Sequence, residues 1–295
     1  MSLVALQDQQ FEIGDTRFGG TLDAVKLDSL DVGSASYDVQ DQDNPFGPTT
    51  YFGRDTLRGP EWTFEMVTDG GVAGTIADAR HAAEALALAW RSPYHHDENR
   101  LQVLRYSLGG NTRRVYGRGR KFSMDVVPLS FSGTAPISAT FKLAENIYYD
   151  DLTQSISIPI VAPTQAGLIA PLKAPLTTAG QTQFAQRGIE IGGTVPTPVT
   201  VTFQGPVLRP WVRGNGFFVQ YDFGLAEDQT LTISGLNQLL AIDNFGRNLT
   251  GKMSANTRMS NVRIAPGMNY FTFGGSDSTG SASATISWRN AYTML

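Results

Sequence analysis

The run Arg100-Leu-Gln-Val-Leu-Arg105-Tyr-Ser-Leu-Gly109-Gly110-Asn-Thr-Arg113-Arg114-Val-Tyr-Gly-Arg118-Gly-Arg120-Lys121-Phe122 holds two alternating stretches on either side of a Gly-Gly pair. Alternation with period two puts one set of side chains on each face of a strand. Two adjacent glycines supply the positive φ values that a two-residue hairpin turn needs. The segment predicts an antiparallel hairpin. Its exposed face carries Arg100, Arg105, Arg113, Arg114, Arg118, Arg120 and Lys121, with no acid before Asp125.

Upstream of the hairpin lies one helical pattern. Thr75 and Asp78 make a capping-box-like start, and Ile76, Ala79, Ala83, Leu86 and Trp90 fall on one stripe. Arg80 and Glu84 form an i,i+4 pair on the other side, and Arg91-Ser92-Pro93 stops the helix. Its alanines let it lie close on a sheet. Downstream, residues 123–131 and 137–147 predict two further strands. One helix among strands makes the first part an α+β domain, a helix packed on a sheet or split barrel.

Past Leu152 the composition shifts. From Leu152 to Gln186 the one charged residue is Lys173, and Pro159, Pro163, Pro171 and Pro175 interrupt a run of Thr, Ala, Gln and Gly. Such a stretch favours extended backbone and makes a stiff connector, or else an edge strand with a loop. Beyond it, short strands recur at residues 188–192, 199–203, 216–223, 229–233, 239–243, 269–273 and 283–288, with turn residues between them. That spacing predicts an all-β sandwich. The chain as a whole is mainly β, divided into 1–152, a connector over 153–186, and 187–295.

Composition agrees. The 295 residues include 31 Gly and no Cys, and 17% are charged. The missing cysteines exclude a disulfide scaffold, a thiolate metal site and a cysteine nucleophile. The opening residues lack a basic n-region, and the uncharged stretch from Leu152 to Leu172 is broken by prolines, so neither a signal peptide nor a spanning helix is expected. A soluble product made in a cytoplasm is the expectation. Charge is uneven: residues 1–98 hold 6 basic and 17 acidic side chains, the reverse of the hairpin that follows.

The sequence has no Gly-x-Ser-x-Gly elbow, no phosphate-cradling Gly-rich loop ending in Lys, and no His-Glu-x-x-His. His95-His96-Asp97-Glu98 are metal-ligand types, but strand neighbours point to opposite faces, so a solvated turn is the simpler reading. Asp41-Gln-Asp43-Asn44 begins like a calcium loop, yet Phe46 and Phe52 occupy the places of the required Gly and Glu. Paired carboxylates leave no local motif. No catalytic residue, metal or cofactor is assigned.

The basic hairpin has three readings: a subunit interface facing acidic residues 1–98 of a neighbouring copy, a plain solvated hairpin, or a phosphate-binding face. The first involves Arg105, Arg113, Arg114, Arg118, Arg120 and Lys121; opposed acidic and basic faces on one subunit form a heterologous contact that closes into a ring when the rotation permits. Against the third stand the acidic net charge of the domain and the scarcity of stacking aromatics beyond Tyr106 and Tyr116.

The C-terminal third is more specific. Leu239-Leu-Ala-Ile-Asp243, the turn Asn244-Phe-Gly-Arg247, Ile264-Ala-Pro266-Gly267-Met-Asn269-Tyr-Phe-Thr-Phe273 and Ala284-Thr-Ile-Ser-Trp288-Arg289-Asn290-Ala-Tyr292 resemble the distal tail proteins, a class of minor tail protein, of long flexible-tailed phages, especially those infecting actinobacteria. The order of parts agrees along the whole chain. Taken residue by residue, Pro266, Gly267 and Asn269 match the family's hairpin, and Trp288, Arg289 and Tyr292 its ending. Each also has a plain structural reading, the first three as a turn, Trp288 with Ile286 and Ala284 as one strand face, and Arg289 on the opposite face.

The resemblance implies a ring-forming first domain and a galectin-like second domain. It further implies a homo-oligomer, six subunits in a ring, placed in the virion after assembly in the host cytoplasm. The ring joins the tail tube protein to tip or baseplate proteins and leaves a channel for DNA in transit, with no membrane insertion. Acidic residues lining the bore would repel DNA and let it slide. A different class of function, sugar binding by the sandwich, needs an exposed aromatic with polar groups around it; Trp211 flanked by Arg209 and Arg213, then Tyr270, are the sequence candidates. A peptidoglycan hydrolase has no visible site.

Overall fold

The computed structural model describes residues 5–69, 74–91, 100–161, 185–236, 240–257, 262–277 and 279–294. The chain is mainly β. It forms two compact units, one of residues 1–151 with 292–295 and one of residues 152–291.

In the first unit the strands are β1 (Phe11–Ile13), β2 (Thr16–Phe18), β3 (Val25–Asp31), β4 (Ser36–Asp38), β5 (Gln42–Asp43), β6 (Thr50–Tyr51), β7 (Thr56–Arg58) and β8 (Glu61–Thr68). Helix α1 (Ile76–Trp90), β9 (Gln102–Leu108), β10 (Asn111–Met124), α2 (Val126–Ser132), β11 (Pro136–Leu143) and β12 (Tyr148–Asp150) follow. The main sheet runs β2-β1-β9-β10-β11-β8-β3, with β12 added on β10. The β9–β10 hairpin forms as expected, with Gly109 and Gly110 both at positive φ (60° and 78°).

Helix α1 also forms where its periodicity places it. The Thr75 hydroxyl accepts from the Asp78 N–H at 3.1 Å, and Ala79, Ala83, Leu86 and Trp90 are buried, while Ile76 stays partly exposed. Trp90 joins Phe11, Phe18, Phe64, Trp62 and Tyr106 in an aromatic core. The Ser92-Pro93 stop lies outside the described residues.

Residues 123–131, expected as a strand, divide instead between the end of β10 and helix α2. Asp125 accepts from the Val127 N–H at 3.1 Å at one end, and Gly133, left-handed at φ 72°, closes the other by donating to the Leu129 carbonyl. Two caps a short distance apart outweigh the strand bias of Val126 and Val127.

The second unit contains β13 (Gln154–Pro159), β14 (Ala185–Ile191), β15 (Thr197–Pro198), β16 (Thr200–Gln204), β17 (Val207–Gly214), β18 (Phe217–Gln220), β19 (Gly224–Leu225), β20 (Thr230–Ser234), β21 (Leu240–Asp243), β22 (Arg263–Ile264), β23 (Gly267–Ser276), β24 (Ser283–Trp288) and the start of β25 (Ala291–Tyr292). Two five-stranded sheets, β13-β24-β16-β20-β21 and β14-β23-β17-β18 with β19 on β17, share one buried core. The core is built from alternate residues such as Val201, Phe203, Phe271, Phe273 and Ile286. Residues 154–159, read from the sequence as connector, pair with β24 through the whole of β13. The remaining connector residues 162–184 lie outside the described set.

The C-terminal signature is structural in detail. Gly267 takes φ 101°, and the buried Asn269 amide donates to the Ala265 and Gly267 carbonyls at 2.8 and 3.0 Å, closing the turn after Pro266. Ala284, Ile286 and Trp288 are buried on one face of β24. The Arg289 carbonyl accepts from the Thr197 hydroxyl at 2.6 Å. Tyr292 leaves this unit and counts with the first.

Candidate functional site

Cross-strand register decides what the basic hairpin can do. Arg17 faces Glu12, Glu12 faces Arg105, and Arg105 faces Arg114, so one row of charges crosses β2, β1, β9 and β10. Two guanidiniums side by side repel unless an anion lies between them. Asp151 supplies it. Arg105 Nε and Nη2 donate to its two carboxylate oxygens at 3.0 and 2.7 Å, and Arg114 Nε and Nη2 donate to Oδ1 at 3.1 and 2.5 Å. Glu12 binds the remaining arm of Arg105 and holds Arg17 at 3.0 Å.

This cluster is inside the protein. Arg105, Arg114 and Asp151 are all less than a tenth exposed. Burial pushes the Asp151 carboxyl up, but the hydrogen bonds from Arg105 and Arg114 outweigh it and hold the group below its ordinary value; the Arg105 guanidinium is correspondingly raised, chiefly by Asp151. Two of the six expected interface cations are therefore internal structure. The strand alternation was read from the sequence, but not the return of Asp151, which lies 37 positions beyond Arg114.

The other four divide again. The Arg113 guanidinium lies 4.3 Å over the Tyr292 ring and donates to the Met294 carbonyl at 2.5 Å, and the Tyr292 hydroxyl contacts Asp150 at 3.4 Å. Arg118 donates to the Arg100 carbonyl at 3.2 Å. Arg120 and Lys121 remain exposed at a bulge between Gly119 and Phe122. Tyr106 is buried and Tyr116 packs edge-on to Tyr149 at 5.3 Å, so the hairpin lacks the paired open aromatics of a stacking platform.

A different element of the same unit presents the exposed surface. Between β3 and β8 the chain leaves the sheet as a narrow antiparallel arm, β4 on β7 and β5 on β6. From Gly33 to Arg58 no residue is buried. Yet the arm displays Tyr37, Val39, Phe46, Tyr51, Phe52 and Leu57, with Phe46 and Phe52 at 96% and 86% exposure. Asn44 shapes the tip: its side-chain oxygen accepts from the Phe46 N–H and its amide donates to the Thr49 hydroxyl, both at 3.0 Å. The stretch that began like a calcium loop is this turn. A second exposed apolar group, Val126, Val127 and Phe131, lies on α2.

Of the sugar candidates, Trp211 and Arg209 line one open groove in the second unit, together with Gln220, Asp222, Phe223 and Ser276. Arg213 and Tyr270 do not line it; Arg213 sits opposite Phe218 and Thr272, and Tyr270 opposite Gly188. Gln220, Asp222 and Ser276 are not marked by any local motif. His95, His96, Asp97 and Glu98 lie outside the described residues. Among the described residues no group of three His, Cys, Asp or Glu side chains is arranged to hold a metal, and no helix is long and apolar enough to cross a membrane.

No family model matches the sequence, and no curated protein matches it. Solved structures do match in fold. The crystal structure of the Dit protein of phage SPP1, titled a paradigm of hub adsorption apparatus in phages that infect Gram-positive hosts, aligns with a TM-score of 0.57 at 11% identity, over 97% of this chain and 99% of that one. A chain of the phage P2 baseplate in its activated conformation with Ca aligns at 0.57 and 12% identity, over 95% and 97%. The corresponding baseplate with Sr gives 0.54 and 13%, over 94% and 97%. The fold of this chain, both units included, is the fold of these phage hub and baseplate components.

Proposed function

We propose that this chain is a structural, non-enzymatic hub protein of a phage tail tip. Several copies close into a ring, six on the family resemblance, that joins the tail tube protein to tip or baseplate proteins and leaves a channel for DNA. The observation that carries the reading is the fold match along nearly the full length of both chains. The exposed arm supports it. An element with six large apolar side chains and no buried residue is stable in water only at a cost, and a neighbouring subunit removes that cost by covering it.

In this reading the arm and the exposed pair Arg120 and Lys121 form the contact between copies, while Arg105 and Arg114 hold the subunit together. The second unit is the galectin-like domain, consistent with its two five-stranded sheets around one core. Acidic residues among 1–98 line the bore, and the assembled product resides in the virion after assembly in the host cytoplasm. Changing bore acids to Lys slows DNA ejection from particles; an unchanged ejection rate removes that part of the reading.

Negative-stain electron microscopy of the purified full chain tests the whole. Class averages showing rings with an open centre, alone or after co-expression with the tail tube protein, are the expected result. Monomers under both conditions overturn it.

A further inference from the structure

We infer that the groove beside β17 is a carbohydrate-binding site. The inference stands on the second unit alone and is independent of the hub reading.

The groove is made by an irregularity in pairing. Leu208 faces Ser276 and Trp211 faces Gly274, so β17 spends two residues, Arg209 and Pro210, where β23 spends Gly275. Arg209 takes the extra turn at φ 49°, a left-handed value that an Arg rarely adopts and that persists where surrounding structure enforces it. Backbone contacts do so: the Arg209 N–H donates to the Phe223 carbonyl and the Tyr221 N–H to the Pro210 carbonyl, each at 3.0 Å. Such bulges re-aim side chains, and here they open a shallow groove of about 680 Å³, within the range of small-ligand sites.

Its floor is aromatic. Trp211 lies against Gly274 so closely that a Cβ there would stand 2.3 Å from the indole ring. The glycine lets the ring lie down on the sheet, half-buried, with Phe218 packed at 6.1 Å. Arg209, Asp222, Gln220 and Ser276 also line the groove, residue types that donate, accept and carry both signs of charge. Next to Ser276 in sequence, buried Asp277 accepts from the N–H groups of Thr279 and Ala282 at 2.7 and 3.0 Å. A pyranose has one face of C–H bonds that stacks on an aromatic plane and a rim of hydroxyls that both donate and accept. A flat indole ringed by donors, acceptors and both signs of charge matches that chemistry, and matches a uniformly apolar or anionic ligand poorly.

Trp62, Trp90 and Trp288 are at most 2% exposed, so tryptophan emission reports ligand binding through Trp211. The full chain is titrated with glucose, galactose, mannose, rhamnose and N-acetylglucosamine and screened on an array of their oligosaccharides. Saturable change with at least one sugar, with Kd in the millimolar range or tighter, is expected. By saturation-transfer NMR, Trp211→Ala and the surface variant Asp222→Asn each weaken that binding about tenfold or more, while Arg213→Ala, outside the groove, leaves it unchanged. Absence of binding to every sugar at about 50 mM overturns the inference. Binding that survives both Trp211→Ala and Asp222→Asn overturns it as well.

Discussion

Asp151 accepts from two opposed guanidiniums in a place shielded from water, and its removal leaves Arg114 buried without a carboxylate and Arg105 with Glu12 alone. Breaking a buried ion pair in this way costs about 3–5 kcal/mol, whereas replacing all its members with apolar groups of similar volume is often close to neutral. Asp151→Ala is therefore expected to lower the unfolding midpoint strongly in calorimetry. The triple change of Asp151, Arg105 and Arg114 to Leu or Met is expected to recover most of the loss. The same geometry sets an acid dependence. The folded state holds this carboxyl below its ordinary value, so in acid the unfolded chain binds more protons and stability rises with pH. The melting temperature should be level above about pH 5 and fall below about pH 4, with a shallower fall in Asp151→Asn. A pH profile identical in wild type and variant would count against the cluster. At this scale the sequence exposed the cations and their alternation. It could not show that a carboxylate just past β12 sits between two of them, because that contact depends on β12 returning to β10.

At the scale of elements, local signals succeeded where they were self-contained. The Gly109-Gly110 hairpin and α1 each carry their own turn or cap, and both formed in register. Residues 123–131 show the opposite case: Val126 and Val127 favour a strand, yet Asp125 and Gly133 set the ends of a helix. The arm was missed for a different reason. Its aromatics alternate with polar residues much as a half-buried strand would, and sequence alone does not say that no sheet lies beneath them. Each side of the arm extends at most roughly 35 Å at about 3.3 Å per residue, enough to reach well onto another subunit. Phe46→Ser with Phe52→Ser removes surface that contributes nothing within the subunit. The double variant should melt within about 0.5 kcal/mol of wild type yet stay monomeric in size-exclusion chromatography with light scattering. Rings of unchanged size would assign the arm to another contact.

For the whole molecule, the sequence placed a change of unit near residue 152 and a β-sandwich after it. It did not foresee that Tyr292 rejoins the first unit, since Trp288 and Tyr292 form one short motif in the sequence yet separate in the fold. Ending the chain at Ala291 removes the ring under Arg113 and the carbonyl it donates to. The first unit should lose about 1–2 kcal/mol, seen as faster amide exchange in β12, while exchange in the β16–β20 pair is unchanged. Equal protection of β12 in both forms would show that the return is incidental.

That return also decides where the two ends of the inserted segment are fixed. The second unit is spliced into the first by two covalent crossings, at Asp151 and at Tyr292, and neighbouring residues of one strand grip them: Arg114 holds the outgoing chain and Arg113 the incoming one. The two points at which the chain leaves and re-enters the first unit are thus anchored side by side on β10, so one strand fixes both ends of the inserted segment.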